Sequence, residues 1–279
     1  MNIYKSKTNR TAKKVGVFCN ARDEKNIKEW AAHHLLLGFD VVVIYDHKSI
    51  HPLKNEFSNF DKRVIIIRVE FEQGNVKQTL MNNAINVAKK LNLDWYIYLD
   101  ADEFLVLNHF FKGIKHFLTL YSYGDSIAIN WLMFGSNHLV EEPKGLIVEN
   151  YTLSCKLLDK HVKSFVRPNE IVKSNNPHYY HIRNPNKMIG LNFKPLNYPY
   201  CFNSLAIPFY KAPAYIAHYV FQSEETYIKR KINLKGDDGS TRPNMGKEIH
   251  NHYNDVINLQ PQKYVTRIKE FLNYYKTNS

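Results

Sequence analysis

Residues 94–104 read Asp-Trp-Tyr-Ile-Tyr-Leu-Asp-Ala-Asp-Glu-Phe (DWYIYLDADEF) and run on into Leu-Val-Leu at 105–107. An apolar strand ends in three carboxylates, Asp100, Asp102 and Glu103, and apolar residues resume at once. A solvated loop has no need of such flanks, and a core strand tolerates the charges only where something neutralises them. Asp100 and Asp102 stand two apart, so an extended or tightly turned segment brings them to one side. Two converging carboxylates repel unless a cation lies between them. Their oxygen ligands suit Mg2+ or Mn2+, an ion that bridges phosphate oxygens and helps a diphosphate leave. An acidic turn closing a strand is the other reading of the same spacing, because D-x-D recurs by chance.

Upstream, the pattern alternates. Val15–Cys19 (VGVFC) is a short buried strand, and NIKEWAAHHLLLG after it repeats Ile27, Trp30, Ala31 and Leu35 at helical spacing, with Gly38 as its stop. His33 and His34 fall on this helix as packing or boundary residues. Asp40–Tyr45 (DVVVIY) and Arg63–Val69 are further apolar strands. A helix from about Asn75 to Leu91 sets Val76, Leu80, Ala84, Val87 and Ala88 on one side. Strands written as continuous apolar runs between helices predict an α/β fold with a mostly parallel central sheet flanked by helices. Ligands of such sheets bind beyond the carboxyl ends of the strands. Asn20–Glu24, Asp46–His51 and Asp100–Glu103 lie there.

Downstream, a helix near His109–Leu120 and a strand at Ser126–Trp131 are expected, then an irregular stretch of aromatic and polar pieces punctuated by Pro, Asn and Gly. The segment Gln260–Tyr275 puts Tyr264, Val265, Ile268, Phe271 and Leu272 on one face and should be a docked amphipathic helix. No repeat or linker divides the chain.

The 279 residues are 44% hydrophobic and 14% aromatic, enough for a sizeable core. A net charge of +12 favours anionic partners: nucleic acid, an acidic membrane surface with which peripheral contact is conceivable, or a nucleoside diphosphate. Cys19, Cys155 and Cys201 form neither a disulfide framework nor a zinc spacing, which suits a reducing compartment. The basic start MNIYKSKTNRTAKK does not read as a secretory signal, and no run approaches the roughly 20 apolar residues of a membrane span. A cytoplasmic location is the expectation.

The glycines that would cradle a dinucleotide or a P-loop phosphate are missing after VGVFC. A sugar nucleotide fits instead, since its diphosphate calls for a divalent ion and its sugar for aromatic and polar walls. Asn20 and Arg22 past the first strand and Asp46 past the second are placed to address a ribose and base. Lys163, Arg167, Lys229 and Arg230 are candidates to meet the phosphates.

VFCNARDEKNIKEWAAHHLLLGFDVVVIYD, WYIYLDADEFL, INWLMFGSNH and AHYVFQSEETYIKRK together resemble the successive blocks of GT-A-fold glycosyltransferases of the family 2 and family 92-like group, over roughly residues 14–235. The resemblance implies a GT-A-like fold. It divides the chain into a basic extension (1–13) and one domain (14–279), with a nucleotide-sugar-binding half (14–107), an acceptor-side half (108–259) and a C-terminal helix (260–279). It implies that Asp100 and Asp102 hold a divalent ion, with Glu103 and Phe104 completing D-x-D-E-F. Asn20, Glu24, Glu29 and Trp30 match the early block, and Asp46 the aspartate near the nucleobase. His218, Tyr219, Ser223, Glu225 and Lys229 match the late block. Alone, His218 reads more readily as a hydrogen-bonded structural residue than as a ligand; the resemblance implies a metal ligand. The chain departs from the group in KRKINLKGDD, where an Arg-Gly pair is common, and in FGSNH, where a glycine is common.

The implied reaction moves a hexose from a nucleotide diphosphate sugar, UDP-linked first, to a hydroxyl of a glycan or glycoconjugate, with inversion. Inversion needs a base to take the acceptor proton. Asp237 and Asp238 after Gly236 are candidates, as are Glu141, Glu142 and Glu170, and spacing does not choose. Two rival classes remain. A basic nucleic-acid-binding protein does not explain D-A-D-E after a buried strand, so no nucleic acid is expected. A sugar-nucleotide pyrophosphorylase or nucleotidyltransferase would want a glycine-rich loop after the first strand, where NARDEK has none.

Overall fold

The computed structural model describes residues 12–71, 74–234, 241 and 244–277. In the first part of the chain, strands and helices alternate: β1 Val15–Ala21, α1 Ile27–Leu36, β2 Val41–His47, α2 Leu53–Glu56, β3 Val64–Val69, α3 Val76–Lys90, β4 Trp95–Tyr98 and β5 Glu103–Leu107. Then come α4 Ile114–Leu120, β6 Ser126–Met133, α5 Ile147–Asn150, β7 Leu153–Ser154, β8 Val162–Val166, β9 Ile171–Lys173, β10 His181–Ile182, β11 Met188–Ile189, β12 Ala214–His218, α6 Glu224–Tyr227, β13 Val256–Ile257 and α7 Val265–Thr277.

One sheet runs in the order β3-β2-β1-β4-β8-β6-β12-β5, with β11 also on β6. The first four strands are parallel, β8 is antiparallel to both β4 and β6, β12 is parallel to β6, and β5 closes the edge antiparallel to β12. The expected α/β class with a mostly parallel sheet is therefore present. Strands from both sides of residue 107 build the same sheet.

Side chains alternate across the parallel half, as the two-residue period of a strand requires. Val17, Cys19, Ile44 and Ile97 enter the core under α1, α4 and α7, while Phe18, Val43, Tyr45, Tyr96 and Tyr98 enter the core under α3. Helix α1 stops where expected: Gly38 takes φ +96°, and Phe39 N–H reaches back to the His34 carbonyl at 3.3 Å. Asn75 caps α3, its side chain accepting from Gln78 N–H at 2.9 Å. Helix α7 docks on α1 with Ile268 buried and Phe271 and Leu272 packed against the core, as the amphipathic tail predicts.

Two local expectations are corrected. The helix placed at 109–120 begins only at Ile114, because Asn108 turns the chain back on itself and Gly113 is held at φ +149°. A Cβ at Gly113 would lie 2.9 Å from the Leu37 carbonyl oxygen, so only glycine fits there. The irregular second half also hides three strands of the main sheet, β8, β11 and β12, which the expected element list lacks. Lys163 and Ser164 interrupt the apolar run of β8, and β12 has only five residues. Among the described residues no helix is long and apolar enough to cross a membrane.

Two buried polar devices tie α1 to its surroundings. Trp30 Nε1 donates to the Glu103 carbonyl at 2.8 Å, His33 Nε2 to the Leu105 carbonyl at 2.8 Å, and Leu105 N–H approaches His34 Nε2 at 3.5 Å. Side chains of the helix thus cover the open edge of β5, which would otherwise expose unpaired backbone. Burial pushes the His33 imidazole down to about 4 and holds that of His34 well below its ordinary value, so both serve as neutral hydrogen-bonding groups. Glu29, also buried, accepts from Ile147 N–H at 2.8 Å and Val148 N–H at 3.0 Å, capping α5 across 118 residues of chain. Its carboxyl is pushed up to about 7 by burial, against those two hydrogen bonds. Glu29→Ala leaves two buried donors unpaired and should lower the unfolding free energy by about 2–4 kcal/mol in urea titrations.

Candidate active site

The β4–β5 junction is a tight turn at the carboxyl end of the parallel strands. Asp100 N–H donates to Glu103 Oε2 at 2.9 Å, and Glu103 N–H to the Asp100 carbonyl at 3.0 Å. This closed turn separates the two aspartates instead of converging them. Asp100 meets Lys77 from the first turn of α3 and Lys163 of β8, the latter at 3.1 Å. Asp102 turns the other way, to Lys231 Nζ at 2.8 Å, Arg230 at 3.7 Å and His218 Nε2 at 3.7 Å. Glu103 is fully buried, with Lys163 Nζ at 3.5 Å and one carboxylate oxygen unpartnered. Lysine and arginine side chains from three separate elements thus provide the neutralisation that the sequence demanded.

The charge balance shifts each group in its own direction. Burial opposes ionisation of Asp102, yet the charges of Lys231 and Arg230 outweigh it and hold the carboxyl well below the usual range. Burial dominates at Glu103 and pushes it up to about 7 against Lys163 and Lys77. His218 is pushed down to about 3 by burial, despite Asp102, so its imidazole is neutral and has the form that ligates metals. The Trp131 ring packs edge-on against His218 with centroids 4.4 Å apart.

The remaining expected residues divide by position. Asn20, at the end of β1, accepts from Tyr98 Oη at 3.2 Å, close to the junction. Arg22 is exposed on the following loop. Asp46 is fully buried, and its oxygens accept from Ser49 N–H at 3.2 Å, Leu53 N–H at 2.9 Å and Arg68 at 3.0 Å. In this structure it organises the loop after β2, and its oxygens face that loop.

Four expectations are corrected. Lys229 pairs with Glu225 at 2.7 Å on the exposed side; a π-helical turn over Ile228–Ile232 brings the next two residues, Arg230 and Lys231, to the carboxylates in its place. Glu170 lies at the wrong end of the sheet, since β8 runs antiparallel to β4, with Val166 opposite Tyr96, and carries the chain away from Asp100. Arg167 goes the same way, stacked 4.2 Å over Trp95 and facing Asp125. Glu142 pairs with Lys25 at 3.0 Å on the loop before α1. Asp237 and Asp238 lie outside the described residues.

Sequence reading missed Lys77 and Lys231. Lys77 carried a faint signal, two residues after the Asn75 cap of a helix that follows a strand end. Lys231 lay in the run KRK, where only the π-helical turn picks out the residue that faces inward.

Among the described residues no three His, Cys, Asp or Glu side chains come together as a ready-made cation site. Asp102 and His218 nevertheless fit a divalent ion as neighbouring oxygen and nitrogen donors: both are buried, adjacent and held on strand-end backbone, with Tyr219 N–H donating to the Asp102 carbonyl at 2.9 Å. Asp100 faces the lysines and would join them only by leaving those pairs.

Stability should carry the signature of Glu103. Its folded-state pKa of about 7 stands above its unfolded value, so the stability it contributes is present at low pH and lost as pH rises through about 7. Urea unfolding at pH 5 and pH 8 should show Glu103→Gln gaining on wild type at the higher pH; a pH-independent difference contradicts the assignment.

The sequence profile of glycosyltransferase family 92 matches residues 16–260. No curated protein matches the chain. Solved structures similar to this chain include TarS residues 1–349 of S. aureus in complex with UDP, at 14% identity and a TM-score of 0.37 over 56% of this chain. HddC from Yersinia pseudotuberculosis is similar at 11% identity and a TM-score of 0.35, over 77% of this chain and 96% of its own. Glucosyl-3-phosphoglycerate synthase from Mycobacterium tuberculosis, in complex with Mn2+, UDP and phosphoglyceric acid, is similar at 11% identity and a TM-score of 0.31, over 57% of each chain. This chain spans about half the length of the TarS fragment, 47%. At these scores the likenesses say nothing of function. The profile spans the sheet, the carboxylate turn and the basic π-helical turn, and on that match the chain belongs to glycosyltransferase family 92.

Proposed function

We propose that this glycosyltransferase moves a hexose from a nucleoside diphosphate sugar, UDP-linked in the first instance, to a hydroxyl of a glycan or glycoconjugate, with a divalent cation and with inversion. The observation that carries the reading is the carboxylate turn at the strand ends, surrounded by Lys77, Lys163, Arg230 and Lys231. Such a surface suits a ligand with adjacent negative groups that also brings a metal ion, as a diphosphate does.

Asp102 and His218 would hold Mn2+ or Mg2+, with Asp100 recruited from its lysine pairs. When bound, the ion supplies Lewis-acid neutralisation of the leaving diphosphate. The chain's own cations do the rest. A diphosphate entering beside Asp102 competes for Arg230 and Lys231, whose charges then pass from carboxylate to phosphate oxygens. Lys163, almost wholly buried between Asp100 and Glu103, keeps the turn closed and fixes the direction of both carboxylates. Asn20, Arg22 and Asp46 are proposed on the nucleoside side of the pocket, with Asp46 acting through the loop it organises. Trp131 offers an apolar wall for a sugar.

Calorimetric titration of UDP-glucose, UDP-galactose, GDP-mannose and UDP, each with and without Mn2+, tests the proposal. Wild type should bind at least one of them in a manganese-dependent way. Asp102→Asn should lower that affinity by about 100-fold or more while leaving the far-ultraviolet circular dichroism unchanged. Binding that is equal with and without Mn2+, or equal in the variant, refutes the metal assignment.

A further inference from the structure

The reaction needs a group to take the acceptor proton, and the carboxylates around the turn are held by lysines. A different pair stands on the same face. Asp159 Oδ1 accepts from both the backbone N–H of His161 at 2.8 Å and its ring Nδ1 at 2.7 Å. That bond fixes the tautomer with the proton on Nδ1 and leaves Nε2 as the basic nitrogen.

The pair is rigidly placed. Trp131 N–H donates to the His161 carbonyl at 2.9 Å, and Asp159 N–H donates to the Trp131 carbonyl at 2.8 Å. The Asn130 side chain donates to the carbonyls of Asp159 at 2.9 Å and Asn203 at 2.7 Å, pinning the turn from the neighbouring strand. His161 stacks on the Trp131 ring at 5.2 Å and meets Phe202 edge-on at 4.9 Å. Both side chains of the pair are about one-third exposed, so a ligand can reach them.

The pair also faces the carboxylate site. His161 stands two residues before Lys163 in extended backbone, and alternate residues share a face. Lys163 reaches Asp100, and its ammonium lies 5.9 Å from the Trp131 ring. Because the His218 and His161 ring centroids lie 4.4 and 5.2 Å from that of Trp131, they are at most about 10 Å apart. One pyranose ring with an attacking hydroxyl spans such a gap. His178, the other imidazole on Trp131, is unsuited: its Nδ1 faces the Val162 carbonyl, and burial and Lys163 push it down to about 3.

We infer that His161, oriented by Asp159, is the base that deprotonates the acceptor hydroxyl, an assignment that rests on the transferase reading above. The acceptor O–H gives its proton to His161 Nε2 as its oxygen bonds to the anomeric carbon. The bond from that carbon to the diphosphate oxygen breaks, and its electron pair leaves with the nucleoside diphosphate. The imidazolium, paired with Asp159, then returns the proton to water. Asp159 is the positioning residue.

The test measures nucleotide release from UDP-glucose, UDP-galactose and GDP-mannose with Mn2+, with water or a panel of p-nitrophenyl glycosides as acceptor. His161→Gln should lose about 10^2–10^4 in kcat, while its calorimetric affinity for UDP stays within about twofold of wild type. Asp159→Asn should lose about tenfold or more in kcat with its UDP affinity within about twofold of wild type, and Asp159→Glu, which keeps a carboxylate, should recover part of that loss. A structural role alone would lower kcat and UDP affinity together. A His161→Gln variant within about threefold of wild type, or one that loses UDP binding along with activity, overturns the base while the donor reading stands. A wild-type protein that neither binds UDP nor releases nucleotide from any donor overturns both.

Discussion

Neutralisation of the carboxylates between β4 and β5 is the constraint around which this molecule is arranged. Asp102 and Glu103 are buried and Asp100 half-buried, an arrangement that low-dielectric surroundings penalise heavily for unpaired charges. The counter-charges come from α3, from β8 and from the turn after α6, elements that are more than 20 residues away in sequence and meet only at this point. Each pair therefore acts as a tether as well as a charge balance. Removing one partner leaves the other buried and alone, so stability and the site are coupled in the same residues.

Helix α1 performs the complementary task on the other side of the turn. Its Trp30, His33 and His34 satisfy the backbone of β5 from the edge, and its Glu29 caps α5. Strand β5 is short and carries Glu103 at its first position, so without this cover its free edge would be open to pairing and the turn before it free to relax. The buried polar residues of α1 are thus structural, and their neutral imidazoles follow from burial. The early block of the family resemblance, which contains Glu29 and Trp30, gains a physical reason here that is separate from ligand binding.

The parallel half of the sheet was legible in the sequence because its inner strands β1, β2 and β4 are buried on both faces and read as unbroken apolar runs. Gly38, the start of α3 near Asn75 and the amphipathic tail were legible for similarly local reasons. Strands β8 and β12 were not: β8 carries the lysine that neutralises Asp100, and a charged residue in the middle of a short strand cancels the apolar signal. The start of α4 was misjudged because the Asn108 turn and the backbone of Gly113 override the hydrophobic pattern that precedes Ile114.

For the site, the sequence by itself determined that buried carboxylates at a strand end require counter-charge, and it put forward Asp100, Asp102 and, through the family blocks, His218 as candidates. Only the tertiary structure decided which cations meet them and where the other polar groups go. Direction along an antiparallel strand sent Arg167 and Glu170 to the far end of the sheet while keeping Lys163 at the site. A π-helical turn, which shifts the facing residue relative to an α-helix, selected Arg230 and Lys231 over Lys229. Asp159 and His161 formed their pair because a turn pinned by Trp131 and Asn130 holds them together. Periodicity records which residues share a face of one element; it carries no information on which elements bring their charged ends to the same point.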